Sequence, residues 1–596
     1  MNEDLQRARH RQMFIFLLVG LGMLVLLGRL YYWQVLQSHS GYNLALQANQ
    51  EHTQNQILDA PRGLVFDSLG RVLATNVVRD DVYIEPVQYS IDHPDYTQSD
   101  LDALINEIHS ALPSVTTVAK LQQAFHSGMV QGLWAVRVAV GINTTQSNAL
   151  KALQLSDVFL QPRSWRVYPG GTLAAQILGF VTQNDTNNHG EYGIEQQFDT
   201  LLSGKPGSLT AETDLQGNPL TVGADDEQPA IPGANLTLTI DSTMESIVEQ
   251  GLANAVKNLQ AQSGTVVVLN AHTGAVVAMA GYPTFDPNNY GMFSSQRGCL
   301  GSEEVYFNPA LSCDYEPGST MKAVTMAAAL DQGLITPDTS FYDPGCISLS
   351  INVPNVCNWE YKAYGNETMT GVLIHSANVG AAYVAYKFLG PDRYYPYLAR
   401  FGFGQRLNID GPEDPGSYRT PQNSSLWTIS DLTRQAFGES IFATPLQVAQ
   451  TYETIANGGV MMQPYLAASI DNNGKVTTTQ PVVKRRVISN RAATLLTGML
   501  EQSAIKGFAQ LAQVPGYSIA AKTGTATTQG ISADETEASV AGFIPASNPQ
   551  FVILVKLDRP KKAIYGSTAA APLWGYIGQQ LMWYYNVPPD EPQQLG

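Results

Sequence analysis

The chain has 596 residues, enough for several domains with substantial cores. Its formal net charge of -17 argues against a nucleic-acid-binding protein. Charged residues make up only 14% of the chain, which excludes a disordered acidic protein.

The first predicted element is a membrane-spanning helix at residues 13–36, where the apolar run "MFIFLLVGLGMLVLLG" begins. The segment reaches the length of about 20 residues that a span needs if Arg29 extends its charge to the membrane surface. Three arginines precede the run: Arg7, Arg9 and Arg11. Three aromatic residues would lie at the outer membrane interface: Tyr31, Tyr32 and Trp33. The basic residues predict a cytoplasmic tail at 1–12 and the bulk of the chain outside the cell membrane.

A cleaved signal peptide is the alternative interpretation of this N-terminal segment. We find no small-x-small cleavage site just after the apolar run, so an uncleaved anchor is favoured.

Residues 37–228 are predicted to form one mixed region. The stretch "APRGLVFDSLGRVLATN" has the pattern of two short strands joined by a turn, and "LDALINEIHSAL" that of a helix. Near residue 230, "GADDEQPAIPGANLTLTID" changes from an acidic linker rich in proline and glycine to a strand. We therefore expect a domain boundary there.

Residues 229–586 are predicted to form a second domain that combines a sheet with helices. A helix, "TMESIVEQGLANAVKNLQ", precedes two strands around a turn, "GTVVVLNAHTGAVVAMAG". Three further strands come near the end: "YSIAAKTGTATT", "ASVAGFIPA" and "FVILVKLDRP". With helices between them, these strands indicate an α+β fold in which a sheet has helices on both sides. The tail 587–596 is predicted to be disordered.

The stretch "YEPGSTMK" contains a candidate nucleophile and its base, Ser319 and Lys322. The proline and glycine favour a turn, and the Ala-rich run that follows favours a buried helix. Ser319 would lie at the helix N-terminus with Lys322 on the same face, where burial favours loss of the lysine proton. An ordinary helix N-cap is the competing interpretation.

A second Ser-x-x-Lys occurs at Ser503 and Lys506. It lies inside "RAATLLTGMLEQSAIKGF", which is typical of a helix interior. We expect the Ser503 hydroxyl to bond to the backbone of its own helix.

Lys522, Thr523 and Gly524 form the only Lys-Thr-Gly in the chain, with Thr525 directly after it on a predicted strand. The cation and the threonine hydroxyls suit a carboxylate, and Gly524 would let a ligand approach the backbone. A polar edge strand is the competing interpretation.

Ser-x-Asn occurs twice, at 350–352 and at 376–378. Ser376 and Asn378 lie between helical segments, where a loop can extend into a cleft, so we favour the second copy.

The four cysteines are Cys299, Cys313, Cys346 and Cys357. Their spacings fit no zinc signature, and the nine histidines show no metal-ligand pairing, so neither a metal nor a cofactor is expected. All four would lie outside the membrane, where disulfides persist, and three connectivities are possible. Pairing within short loops, Cys299 with Cys313 and Cys346 with Cys357, is our prediction.

Ser-x-x-Lys, Ser-x-Asn and Lys-Thr-Gly occur in the order that characterises the serine enzymes that penicillin acylates. Ser503 fails this test because no Ser-x-Asn lies between it and Lys522. With these motifs the chain resembles the class B penicillin-binding proteins, monofunctional peptidoglycan D,D-transpeptidases. The resemblance extends to four other stretches: "APRGLVFDSLGRVLA", "RVYPGGTLAAQILGF", "YGIEQQFDTLLSGKPG" and "LTLTID".

The resemblance implies an N-terminal anchor, an elongated pedestal domain at 37–228 and a transpeptidase domain at 229–586. "YEPGS" and "SANVG" look more like the division-associated branch than the elongation branch. One departure is Gly438-Glu439-Ser440, where the family usually has Gly-Gln-Gly, so the shape of one cleft wall differs. No glycosyltransferase-like region precedes the pedestal, which argues against the bifunctional class A enzymes.

The family's substrate is a stem peptide ending in D-Ala-D-Ala, which β-lactams mimic. By resemblance, Ser319 is the nucleophile and Lys322 its base, while Ser376 and Asn378 assist proton transfer and substrate binding. A second set would hold the terminal carboxylate and, through one backbone N–H, the oxyanion: Lys522, Thr523, Gly524 and Thr525. Expected partners are a SEDS-family glycosyltransferase and other wall-synthesis membrane proteins.

Three alternatives stay open at this point. A D,D-carboxypeptidase would pass the acyl group to water, and a membrane-anchored β-lactamase or β-lactam sensor shares the three motifs. A catalytically idle scaffold of the wall-synthesis complex is the third. The stretches resembling the pedestal argue against the first two, and the intact motifs argue against the scaffold.

Overall fold

The structure is a computed structural model that describes residues 2–32, 53–183, 188–212, 226–299, 304–349, 354–527 and 535–591. The chain forms two compact units, each built from two segments. The first unit combines Met1–Pro61 with Gly204–Pro232, and the second combines Arg62–Ser203 with Gly233–Gly596.

The α-helices of the described residues are numbered in chain order. They are α1 Asn2–Tyr31, α2 Pro86–Asp92, α3 Gln98–Ala111, α4 Val118–Gln131, α5 Thr144–Ala152, α6 Ala175–Leu178, α7 Gly193–Gln197, α8 Asp199–Leu202, α9 Ser242–Leu259, α10 Pro309–Ser312, α11 Lys322–Asp331, α12 Met369–Ile374, α13 Asn378–Tyr383, α14 Gly390–Arg400, α15 Ile429–Gln435, α16 Pro445–Ala456, α17 Asn490–Lys506 and α18 Gly566–Tyr584.

The strands are numbered in the same way. They are β1 Thr53–Leu58, β2 Val65–Phe66, β3 Val72–Ile84, β4 Val136–Ile142, β5 Val158–Val167, β6 Phe180–Val181, β7 Gly190–Glu191, β8 Gly207–Glu212, β9 Asp226–Gln228, β10 Asn235–Leu238, β11 Ser263–Asn270, β12 Val276–Tyr282, β13 Ser340–Asp343, β14 Cys346–Ile347, β15 Val356–Cys357, β16 Gly365–Thr368, β17 Ser417–Tyr418, β18 Ile441–Phe442, β19 Val460–Met462, β20 Ala467–Asn472, β21 Lys475–Thr478, β22 Val483–Arg486, β23 Ala520–Thr527, β24 Thr536–Ile544 and β25 Phe551–Asp558.

The first unit contains α1 and an antiparallel sheet of β1, β8 and β9. Within α1, Gln6–Tyr31 is long and apolar enough to cross a membrane. The apolar side chains of this stretch are exposed, which suits contact with lipid. The helix also includes most of the predicted cytoplasmic tail, because it begins at Asn2. Residues 33–36, with Trp33 of the predicted aromatic belt, lie outside the described residues.

The second unit contains a mixed sheet in the order β21-β20-β10-β2-β3-β4, with β5 also paired to β3. The predicted strand pair at 60–76 is present as β2 and β3, but β3 is longer than predicted. It continues to Ile84 because β5 pairs with it antiparallel over the whole of Thr75–Ile84. Helices α2 to α5 accompany this part of the sheet, and α3 buries Leu104, Ile105 and Ile108 on one side.

The second sheet of this unit is antiparallel, with the strand order β12-β11-β25-β24-β23. Alternate residues of its strands face two separate hydrophobic clusters, as the period of two in a strand requires. One cluster contains Val266, Val248 of α9 and Trp574 of α18. The other contains Val267 and Ala328 of α11. Helices therefore cover both faces of the sheet, as predicted.

The C-terminal tail differs from the predicted disorder over residues 587–591. The Tyr517 hydroxyl donates to the Val587 carbonyl at 2.6 Å, and the Ser518 N–H donates to Asp590 Oδ1 at 2.9 Å. The Glu591 N–H donates to the Gly516 carbonyl. The polar composition of this segment suggested disorder, but these hydrogen bonds attach it to residues 516–518, just before β23. Residues 592–596 lie outside the described residues.

Candidate active site

The turn that carries Ser319 is a 3₁₀ helix, Gly318–Met321, which leads directly into α11. Gly318 has a φ of +57°, a left-handed conformation that glycine adopts without strain. Nearly all of α11 is buried, as its Ala-rich sequence predicted. Ser319 itself is only half-buried, between the buried Gly318 and Thr320. The turn thus exposes one hydroxyl at the end of a buried helix.

The turn packs tightly against strand β23. A Cβ atom on Gly524 would lie 2.6 Å from the Pro317 carbonyl oxygen, so no larger residue fits there without movement. The sequence suggested that Gly524 lets a ligand approach the backbone. In the structure the approaching group is the protein's own turn, and this contact fixes Ser319 relative to the Lys-Thr-Gly strand.

Lys322 lies at the centre of the site and is fully buried. Its Nζ is 2.8 Å from Ser319 Oγ, 2.6 Å from the Ser376 carbonyl oxygen and 2.7 Å from Asn378 Oδ1. The last two oxygens can only accept hydrogen bonds. A neutral lysine amine has two protons and one lone pair. If the protons go to the two amide oxygens, the lone pair faces the Ser319 hydroxyl.

The electrostatics of the site favour that neutral state. Burial lowers the pKa of Lys322 well below its usual value, and the nearby Lys522 cation lowers it further. The carboxylate of Glu439 opposes this shift but does not cancel it. Burial also lowers the pKa of Lys522, to about 7.

Ser376 connects the two lysines. It lies between α12 and α13, as predicted, and its φ is +53°. Its Oγ is 3.2 Å from Lys322 Nζ and 3.0 Å from Lys522 Nζ. A proton can therefore pass from Lys322 to Ser376 along a continuous chain of hydrogen bonds.

The two threonines of the Lys-Thr-Gly strand have different surroundings. Thr525 is half-buried, and its Oγ1 accepts a hydrogen bond from the Gly566 N–H at 3.1 Å. Thr523 is only 6% exposed, and its carbonyl oxygen accepts from Lys522 Nζ at 3.2 Å. The Thr525 hydroxyl keeps its proton available for a ligand.

The second Ser-x-x-Lys is remote from this arrangement. Ser503 is 1% exposed inside α17, and its hydroxyl donates to the Leu373 carbonyl of α12 at 3.1 Å. The expected bond to its own helix was wrong, because α12 packs close enough to provide the acceptor. The other Ser-x-Asn, at 350–352, falls in residues 350–353, which lie outside the described residues.

Comparisons with known proteins agree with the geometry. A family model described as the penicillin binding protein transpeptidase domain matches residues 264–582. A second, described as the penicillin-binding protein dimerisation domain, matches residues 57–238. The chain belongs to the penicillin-binding proteins.

Similar relatives cover most of the chain. Stage V sporulation protein D of Bacillus subtilis is 30% identical over 98% of this chain and 87% of that protein. Peptidoglycan D,D-transpeptidase FtsI of Escherichia coli K12 is 28% identical over 96% of this chain and 91% of that protein.

Solved structures show the same fold. Penicillin binding protein 3 of Mycobacterium tuberculosis, complexed with aztreonam, is 26% identical with a TM-score of 0.65, covering 90% of this chain and 99% of that one. Penicillin binding protein 2X of Streptococcus thermophilus has a TM-score of 0.71 at 21% identity, covering 89% of this chain and 80% of that one.

The stretch that departs from the usual penicillin-binding protein pattern lies beside the nucleophile. The Gly318 N–H donates to the Gly438 carbonyl at 3.0 Å. Ser440 has a φ of +57°, where the usual glycine would be unstrained, and its N–H donates to Glu316 Oε1 at 2.6 Å. Glu439 Oε2 accepts from Arg434 at 2.8 Å. Ser440 therefore has a backbone conformation that suits glycine, and Glu439 adds a carboxylate to this wall.

The cysteines pair as predicted, Cys299 with Cys313 and Cys346 with Cys357. The second disulfide lies next to the active site, a contact that the sequence analysis did not predict. The Cys357 carbonyl accepts a hydrogen bond from Asn378 Nδ2 at 3.3 Å. Asn358 was also missed, although it contacts the helix that Asn378 begins.

Proposed function

We propose that this protein is a peptidoglycan D,D-transpeptidase that cross-links stem peptides through an acyl-enzyme on Ser319. The observation that carries the proposal is the buried Lys322, whose Nζ is 2.8 Å from Ser319 Oγ and is also bonded to Asn378. Membership of the penicillin-binding proteins and the relatives named as D,D-transpeptidases support the same reaction.

Acylation begins with loss of the Ser319 proton to neutral Lys322. Ser319 Oγ attacks the carbonyl carbon of the penultimate D-Ala, and the C–N bond to the terminal D-Ala breaks. Ser376, between the two lysines, passes the proton to the departing amine, and D-Ala is released. The backbone N–H groups of Ser319 and Thr525 stabilise the oxyanion, and one such donor is worth roughly 3–4 kcal/mol in other enzymes.

Binding of the substrate uses the Lys-Thr-Gly strand. Lys522, Thr523 and Thr525 hold the terminal carboxylate, and Gly524 keeps the strand close to the nucleophile turn. Asn378 donates its second Nδ2 proton to an amide carbonyl oxygen of the donor peptide. An amine of a neighbouring stem peptide then attacks the ester, which forms the cross-link and frees Ser319. A β-lactam acylates the same serine and blocks it.

Labelling with a fluorescent penicillin tests this assignment. The full-length protein with Ser319→Ala should not be labelled, whereas Ser503→Ala should be labelled like the unchanged protein. The two variants are matched, because each removes a serine hydroxyl three residues before a lysine. Retained label in Ser319→Ala, with the adduct on another residue, would overturn the proposal.

Turnover distinguishes the alternatives. Release of cross-linked dimers from stem-peptide substrates identifies the transpeptidase, with D-Ala-D-Ala carboxypeptidase activity as a side reaction. Rapid hydrolysis of the β-lactam would instead identify a lactamase, and a complete lack of acylation would identify a scaffold.

We further propose that α1 anchors the protein with its N-terminus in the cytoplasm and its catalytic domain outside. The length and apolarity of Gln6–Tyr31 and the arginines before residue 13 support this topology. In this position the protein acts with a SEDS-family glycosyltransferase in septal wall synthesis.

An exchange of the anchor tests this membrane role. Replacing residues 13–36 with an unrelated span should keep penicillin labelling but disrupt co-purification with the glycosyltransferase and septal localisation. Gly20, Gly22 and Gly28 would permit close helix approach in that complex. Unchanged co-purification and growth would show that the segment is only a tether.

A further inference from the structure

The segment after the second disulfide contacts the start of helix α13 at two points. The Cys357 carbonyl accepts from Asn378 Nδ2 at 3.3 Å. The next side chain, Asn358, accepts through Oδ1 from the Val379 N–H at 3.0 Å. Cys357 and Asn358 thus bind Asn378 and Val379, the first two residues of the helix.

The second of these contacts replaces a missing helix cap. The first N–H groups of a helix lack partners within the helix, and Ser, Thr, Asp or Asn at the N-cap usually accepts from one of them. In α13 the N-cap residue is Ala377, which has no side-chain acceptor. Asn358, from a different part of the chain, supplies the oxygen instead.

Asn358 is itself held firmly. Its Nδ2 donates to both carboxylate oxygens of Asp343, at 3.0 and 2.8 Å, and to the Lys362 carbonyl at 2.9 Å. Its N–H donates to the Gly345 carbonyl at 2.9 Å. Asn358 is 6% exposed and Asp343 is completely buried. The side chain therefore has one orientation in which all of its hydrogen-bonding groups are satisfied.

The first contact determines which way the Asn378 amide points. An amide has one oxygen acceptor and one nitrogen donor, and Lys322 needs the oxygen. Because Nδ2 donates to the Cys357 carbonyl, Oδ1 faces Lys322 Nζ at 2.7 Å. The Cys346–Cys357 disulfide joins directly opposite residues of β14 and β15 and so fixes the position of that carbonyl.

We propose that Asn358 is a positioning residue for acylation, acting together with the disulfide-bonded pair β14–β15. The segment holds Asn378 so that its oxygen accepts from Lys322 and its remaining N–H faces the donor peptide. This inference rests on the proposed function. It adds residues outside the three motifs that orient Asn378 of the Ser-x-Asn motif.

The test is the rate constant for acylation of Ser319 by a fluorescent penicillin, measured on the full-length protein. In Asn358→Ala this rate constant should fall roughly 10- to 100-fold, because supporting residues and small displacements at a reacting centre have effects of that size. The rate constant describes only folded molecules, and the final amount of label reports how many there are. A purely structural role would lower the amount of label and leave the rate constant unchanged.

Asn143→Ala is the matched control, because Asn143 caps α5 in the same chemical way. It should lower the melting temperature without changing the rate constant. If Asn358→Ala does not fold, Cys346→Ser with Cys357→Ser tests the same inference, and Cys299→Ser with Cys313→Ser is its control. A rate constant within about twofold of the unchanged protein in Asn358→Ala, or in the first cysteine pair, would overturn the inference. Failure of the proposed function is distinguishable, since it shows as label retained in Ser319→Ala.

Discussion

Two regions of the second unit bury charged side chains to the same degree with opposite results. In the segment that matches the dimerisation domain, Glu195 is completely buried and accepts from Arg62 and Arg166 at 2.7 Å each. Burial alone would raise the pKa of Glu195, but the two guanidinium groups outweigh it and hold the pKa below its usual value. The Glu195 carboxylate therefore stays charged.

In the active site, two side chains of the same sign are buried beside each other. The pKa of Lys322 falls because burial and the Lys522 cation act in the same direction. Its opposing charge, Glu439, is already bound to Arg434. Burial with a partner of opposite charge stabilises a fixed framework, whereas burial without one produces a base. The difference predicts which substitutions change stability and which change chemistry.

The largest expected effect is that of Lys322→Met, which removes the base and keeps the length of the side chain. The acylation rate constant with a fluorescent penicillin should fall about 10³- to 10⁴-fold, within the range for loss of a general base. Lys506→Met, at the other Ser-x-x-Lys, should leave it unchanged. A rate constant within tenfold of the unchanged protein would show that another group takes the proton.

The same variant should not lose stability. The folded pKa of Lys322 lies below the unfolded value, so between the two the unfolded state binds more protons. The lysine therefore opposes folding more strongly as the pH falls through this window. In urea unfolding, Lys322→Met should be as stable as the unchanged protein or more so, with the difference growing at lower pH.

Glu195→Gln should have the opposite effects from Lys322→Met, with lower stability and an unchanged acylation rate constant. Removing the carboxylate takes from buried Arg166 the carboxylate it is paired with and leaves Arg62 with Asp199 alone. Breaking such a buried pair costs about 3–5 kcal/mol. The free energy of unfolding should fall by that amount, while molecules that remain folded keep the acylation rate constant. Glu191→Gln, which removes a partly exposed carboxylate beside His189, should cost less than about 1 kcal/mol. Equal losses in the two variants would contradict the comparison.

The smallest effect is expected from Glu439→Gln, which restores the usual glutamine of the family. Glu439 raises the pKa of Lys322, so its removal lowers that pKa further. Because acylation requires neutral Lys322, the acidic limb of the rate–pH profile should move to lower pH. Glu501→Gln should not move it. A shift to higher pH would reverse the sign of the interaction.

The sequence predicts the framework of the site well because that framework is local. Helical spacing placed Lys322 on the face of Ser319, and the strand pattern placed Lys522 and Gly524 on one strand. The structure brings these residues together with Ser376 and Asn378, although their catalytic roles remain proposals. The five strands of the antiparallel sheet and both disulfides were also predicted from short segments.

What the sequence did not predict depends on contacts between distant segments. Asn358 lies 21 residues before Val379, whose N–H it binds, and no local sequence pattern predicts that contact. Ser440 and Glu316 are 124 residues apart. The length of β3 and the acceptor of Ser503 were likewise set by neighbours in space. Such partners follow only from the packing of whole elements.

The mixed sheet of the second unit crosses the boundary between the segments matched by the two family models. A truncated protein should therefore not begin at that boundary. Strands β2 and β3 lie in the segment matched by the dimerisation domain, whereas β20 and β21 lie in the segment matched by the transpeptidase domain. Strand β10 joins them, pairing parallel with β2 and antiparallel with β20. A fragment that begins after β10 would expose the edge of β20, and an exposed strand edge can pair with another molecule and cause aggregation. Truncations intended for isolated catalytic domains should therefore retain residues from Arg62 onwards.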